Sequence, residues 1–139
     1  MDLIDCLLRW MLLPNMPSGR HACGAVHIPA LGDLVLGGVD ELWEISHAAE
    51  LLQTEKVGNI YIQSWKKIDP MVKARRFPSA VYFDKSVFVT SRLDDDVEIL
   101  SLPGGQPGQW SIVHICSKPI QRPLAMGVHN GRILLSGKN

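Results

Sequence analysis

The chain has few cysteines, no excess of either charge and no long apolar run, and each shortage excludes something. Cys6, Cys23 and Cys116 are odd in number and far apart, so they suggest neither a disulfide framework nor the CxxC pair of a zinc site. Free thiols fit a reducing compartment. Lys and Arg number 14 against 14 Asp and Glu, which argues against the broad basic surface that nucleic acid or an anionic membrane requires. No stretch approaches the ~20 apolar residues of a membrane span. The opening MDLIDCLLRWMLLP is interrupted by Arg9 and carries Asp2 and Asp5 where a signal peptide would be basic. What is present is ordinary for a globular protein, with 46% hydrophobic and 20% charged residues. The expectation is a soluble, cytoplasmic chain with no nucleic-acid or membrane partner.

The informative feature is an internal repeat. Trp10, Trp65 and Trp110 are each followed six residues later by Met16, Met71 or Cys116, and then by Arg20, Arg75 or Arg122. Five residues past each arginine stands a small residue followed by valine: Ala25-Val26, Ala80-Val81 and Gly127-Val128. An apolar triplet closes each unit: Leu34-Val35-Leu36, Val87-Phe88-Val89 and Ile133-Leu134-Leu135. Short apolar runs with β-branched residues read as buried strands. Gly37-Gly38 after the first triplet permits positive φ and close backbone approach.

These residues resemble the kelch family. The marks are GRHACGAV, DLVLGG, SWKKIDPM, ARRFPSAVYF, DVEIL, QWSIV and NGRILLSG, and they cover about Trp10 to Gly137. Thr90-Ser91 and Ser136-Gly137 stand where the second and third units would repeat the diglycine. The resemblance implies an all-β fold: a partial kelch-type β-propeller of antiparallel four-stranded blades, two complete and two incomplete. Residues 8–13 would be the last strand of a preceding blade, 20–69 and 75–114 complete blades, and 122–139 the start of a further one. The expected strands are 22–28, 33–37, 49–53 and 64–69, then 79–84, 86–90, 96–102 and 109–114, then 125–129 and 132–136. Helices are the alternative over 2–13, where Leu3, Cys6, Leu7 and Trp10 share a stripe, and over 40–55. Strand is preferred at 49–53 because AAELL aligns with DVEIL, leaving ELWEISH as a loop insertion.

In a meander, alternate connections emerge on one face. That face would collect 14–21, 38–48, 69–78, 90–95 and 116–124, and loops on a rigid scaffold are where binding residues lie. Arg20, Arg75, Arg76 and Arg122 are the candidate partner contacts, since guanidinium groups grip carboxylates bidentately and similarly placed arginines of some kelch adaptors contact an acidic peptide. The competing reading has these arginines bond loop carbonyls and order the blade junction. Trp43, outside the repeat, is the candidate interface anchor, with packing beneath its own loop as the alternative. Asp94-Asp95-Asp96 reads as a solvated loop without the spacing of a calcium site. The five scattered histidines form no metal set, and Cys23 and Cys116 read as packing residues. Pro103-Gly104-Gly105-Gln106-Pro107-Gly108 lacks the lysine of a phosphate loop.

The expected function is therefore binding of a protein partner, with no enzyme activity and no cofactor. By resemblance it would be the substrate-recognition part of a cullin-type ubiquitin ligase adaptor. Cytoskeletal actin binding, or a truncated fragment without independent activity, is the alternative. A copper enzyme of the galactose-oxidase kind is disfavoured by two tyrosines and no coherent ligand set. The expected strands are too few for a closed ring, which predicts self-association through open blade edges.

Overall fold

A computed structural model describes residues 11–92, 94–114 and 122–138. Its strands are β1 (Arg20–His21), β2 (Gly24–Ile28), β3 (Gly32–Leu36), β4 (Val39–Asp40), β5 (Ala49–Val57), β6 (Ile60–Ile68), β7 (Pro78–Phe83), β8 (Ser86–Ser91), β9 (Asp96–Ser101), β10 (Trp110–His114), β11 (Arg122–His129) and β12 (Arg132–Lys138). A short 3-10 turn at Pro103–Gly105 precedes β10. Among the described residues no helix is long and apolar enough to cross a membrane.

The fold is all-β. One four-stranded antiparallel meander runs β2-β3-β5-β6, a second runs β7-β8-β9-β10, and β11-β12 forms a hairpin. These have the form of two complete blades and the beginning of another, and the described sheets do not close on themselves. The apolar triplets lie where alternation requires them. Leu34 and Leu36 of β3 and Val87 and Val89 of β8 are fully buried, because successive side chains of a strand point to opposite faces. Ile28, Leu51, Met71, Leu100 and Leu102 complete one continuous core across both sheets. Burial of each Leu or Val is worth about 1.5–3 kcal/mol.

The sheets meet through their first strands. β2 packs on β7 and β7 on β11, with the Met126 amide donating to Ser79 Oγ at 2.8 Å. A second tie recurs with the repeat. Trp65 Nε1 donates to the Pro14 carbonyl at 2.7 Å, and Trp110 Nε1 donates to the Asp69 carbonyl at 2.8 Å. Pro14 and Asp69 each stand four residues after the tryptophan of the preceding unit. Each indole thus binds its own sheet to the connection that follows the preceding tryptophan.

Two expected strands are longer than their pattern suggested. β5 and β6 pair from Ala49↔Ile68 out to Val57↔Ile60, whereas β3 pairs with β5 only over Asp33–Leu36. The extension is a two-stranded arm, favoured by the β-formers Thr54, Val57, Ile60, Tyr61 and Ile62 and closed by a two-residue Gly58-Asn59 turn. Met11–Leu13, the described part of the strand expected at 8–13, lie outside any strand. Residues 8–10, and with them Trp10 and most of the helical alternative over 2–13, lie outside the described residues. The helical stripe of 40–55 is divided between a loop and β5.

Candidate interaction face

Three connections share one end of the sheets: 37–48 between β3 and β5, 69–77 between the blades, and the described residues 92 and 94–95 between β8 and β9. The connection expected at 116–121 lies outside the described residues. Gly37 (φ +58) and Gly38 (φ +99) start the first of these. A Cβ on Gly37 would lie 2.5 Å from the Arg75 carbonyl, and one on Gly38 would lie 2.5 Å from that of His21. Glycine is needed here both for the left-handed backbone and for this close approach.

Backbone bonds then join the loops to one another. Gly38 N donates to Arg75 O at 2.8 Å, Arg75 N to Ser46 O at 3.0 Å, Met71 N to His47 O at 2.9 Å and Phe77 N to Ala22 O at 3.1 Å. The second unit achieves its turn without glycine. Thr90 Oγ1 donates to the Asp96 carbonyl at 3.0 Å, and Ser91 Oγ bonds the Asp94 carboxylate.

The structure places two of the four candidate arginines in the interior. Arg20 donates from Nη1 to the Gly37 and Ala48 carbonyls at 2.8 and 3.1 Å and from Nη2 to Glu50 Oε2 at 2.8 Å. Its side chain is 1% exposed and that of Glu50 is 0% exposed. Ser18 Oγ donates to the other Glu50 oxygen at 2.7 Å. Arg20 Nε has no hydrogen-bond partner among the described residues.

Arg75 is fully buried. It donates from Nε and Nη2 to Glu98 Oε2 at 3.2 and 3.1 Å, from Nη2 to Asp96 Oδ1 at 2.7 Å and from Nη1 to Asp94 Oδ2 at 2.8 Å. The backbone N–H groups of Val72 and Lys73 also bond the Glu98 carboxylate. Arg20 therefore orders loop carbonyls, as the competing sequence reading had it, while Arg75 mainly gathers carboxylates. In both positions the guanidinium is turned inward and committed to its own blade.

The other candidates lie differently. Arg76 is exposed, with its guanidinium 4.9 Å from the centre of the exposed Phe77 ring. Arg122 opens β11 opposite Lys138; its side chain lies outside what the structure describes. Trp43 is 76% exposed on the inserted loop, at φ +65, with its ring edge-on to His21 at 5.4 Å. Phe77, at φ +50, follows the same face.

Glu50 and Glu98 are the site residues that sequence reasoning missed. Both are visible in the sequence as the matching acid of AAELL and DVEIL, but nothing local links them to an arginine that is distant along the chain. The acidic run is also different from the solvated loop expected of it. Asp96 is buried on Arg75 and Lys73, Asp94 reaches Arg75, and Asp95 remains exposed.

Electrostatics follow from these contacts. Burial pushes the Asp96 carboxyl up, but the hydrogen bonds and charges of Lys73 and Arg75 together outweigh it and hold the group below the usual carboxylate range. The same hydrogen bond to Asp96 raises the Lys73 ammonium. Burial pushes the Cys23 thiol up, partly opposed by Arg20, which favours a protonated packing residue over a nucleophile. His27 Nδ1 lies 2.7 Å from its cross-strand neighbour Asp33 in an exposed pair. Among the described residues no group of three or more His, Cys, Asp or Glu side chains has the arrangement of a metal site.

No protein-family model matches the chain, and no curated protein matches it either.

Proposed function

We propose that this chain is the protein-binding module of a kelch-like protein, engaging its partner on the face formed by the 37–48 and 69–77 connections and the described residues 92 and 94–95. The observation that carries this reading is the contrast on that face. The loops are bonded to one another and anchored by buried Arg–carboxylate clusters, yet they hold Trp43 at 76% and Phe77 at 57% exposure. A rigid scaffold that presents aromatic side chains to solvent is suited to recognition. The role of Arg20 and Arg75 in this reading is to position the loops, and contact with the partner falls to Trp43, Phe77 and Arg76. The kelch-like sequence marks suggest substrate recognition for a cullin-type ubiquitin ligase as the wider role, in the cytoplasm and without a cofactor.

Affinity capture from cell extract tests the proposal. A Phe77→Gly, Arg76→Glu double variant should lose proteins that the unaltered chain retains, at an unchanged melting temperature. Tyr61→Ala, on the arm at the far end of the first blade, should retain them. Capture indifferent to the Phe77 and Arg76 changes would refute the face.

A further inference from the structure

Loop 40–44 and β1 enclose an open cleft of about 440 Å³ lined by Gly19, Arg20, His21, Asp40, Glu41 and Trp43. β1 pairs with β4 through Arg20↔Asp40 and His21↔Val39, so the cleft floor is fixed by strand geometry. The loop is fixed by Asp40. Its Oδ1 accepts the Leu42 and Glu44 amides, both at 2.9 Å, and its carbonyl accepts the Trp43 amide at 3.1 Å. These bonds hold Trp43 at φ +65, a region that a bulky residue enters only when its surroundings impose it.

The charges decide what such a cleft accepts. Arg20 is the cation among the lining residues, and its guanidinium is bonded to Glu50 and to two carbonyls with 1% of the side chain exposed. The charges left facing the opening are carboxylates. The Glu41 carboxylate stands over Gly19, where an added Cβ would meet Oε1 at 3.0 Å, and Glu44, outside the lining, is also exposed. On the same face Phe77 already carries the chain's own Arg76 over its ring. Among the described residues no cation lies over Trp43, whose ring contact is the edge of His21.

We infer that the Trp43 cleft receives an arginine side chain of a protein partner, with the guanidinium stacked on the indole and paired with Glu41. A planar guanidinium suits both contacts at once: it stacks on an aromatic face and bonds a carboxylate through its fork of N–H groups. The partner chemistry is thus basic at this position, opposite to the acidic peptide that an outward-facing arginine set would have bound. The inference rests on the proposed interaction face and specifies one contact within it.

Two measurements on the full 139-residue chain test it. The indole N–H resonance of Trp43 is followed by NMR during titration with capped Gly-Arg-Gly, Gly-citrulline-Gly and Gly-Glu-Gly peptides. The indoles of Trp65 and Trp110, engaged by Pro14 and Asp69, serve as internal references. The arginine peptide should give a saturable shift confined to Trp43, several-fold tighter than citrulline, and Glu41→Gln should weaken it by about 3- to 10-fold. Equal binding of citrulline, or a preference for the glutamate peptide, overturns the inference.

Selection of a random peptide library on the chain then separates this inference from the broader reading. Enriched arginine-bearing peptides that lose about tenfold in affinity on Trp43→Gly support it. That substitution relieves the positive φ, so the fold should persist. Enriched peptides that bind the loop face without arginine overturn the arginine contact and leave the interaction module standing. No enrichment at the face overturns both.

Discussion

Arg75 sits beneath Asp94, Asp96 and Glu98 with no part of its side chain in water. A buried ion cluster contributes little net stability when complete, but removal of one member leaves its partners as uncompensated buried charge. Arg75→Leu should therefore destabilise the chain by about 3–5 kcal/mol, read as a fall in the urea midpoint. A loss below about 1 kcal/mol would mean that the carboxylates find water instead. Asp96 makes the cluster acid-sensitive. Its folded pKa is lowered, so its contribution is fully present above the unfolded value, about 3.9, and is lost as pH falls through the lower folded value. Unfolding midpoints followed from pH 5 to pH 2 should fall more steeply for the unaltered chain than for Asp96→Asn. Identical slopes would remove Asp96 from the acid response. At this scale the sequence was only half legible. The arginine recurred at a fixed place in each unit, which marked it as important. Its direction depends on which strand lies beside it, and the acids that turn it inward are 30 and 23 residues away for Arg20–Glu50 and Arg75–Glu98.

The strands themselves were legible because their signals are local. Apolar triplets, tight turns and the repeat placed all eight strands of the two complete sheets within a few residues of the observed bounds, apart from the lengthening of β5 and β6. That arm was missed because exposed β-formers carry no burial alternation to read. The inter-unit tryptophan bonds lie at the element scale as well. The repeat marked each tryptophan by its position alone, and the structure makes its indole a donor to the preceding connection. Trp110→Phe keeps most of the ring and removes the bond to Asp69, so a loss of about 1 kcal/mol is expected in chemical denaturation. No change on substitution would assign the indole to packing alone. Thr90-Ser91 shows why a missing diglycine does not break a blade. Two hydroxyls bond Asp96 and Asp94 across a shorter connection, a solution that the repeat comparison registered only as a departure.

At the scale of the whole molecule, β12 is one of several open edges among the described sheets. It pairs with β11, and among the described residues no strand lies on its other side. Leu134 is 53% exposed there. Such edges favour pairing with another chain, and we propose that the chain self-associates through it. Sedimentation should show concentration-dependent association, reduced by Leu134→Lys, while a monodisperse monomer at all concentrations would contradict this. Leu134 belongs to none of the three loop connections, so this association and partner binding should respond to different substitutions.

Contact between the loop face and the protein partner can be trapped covalently. A photo-crosslinking amino acid placed in cells at Phe77, and separately at Tyr61 on the arm, tests it most directly when the adducts are identified by mass spectrometry. A discrete protein adduct is expected from position 77 and none of the same kind from position 61. No adduct from 77, or the same adducts from both positions, would contradict it.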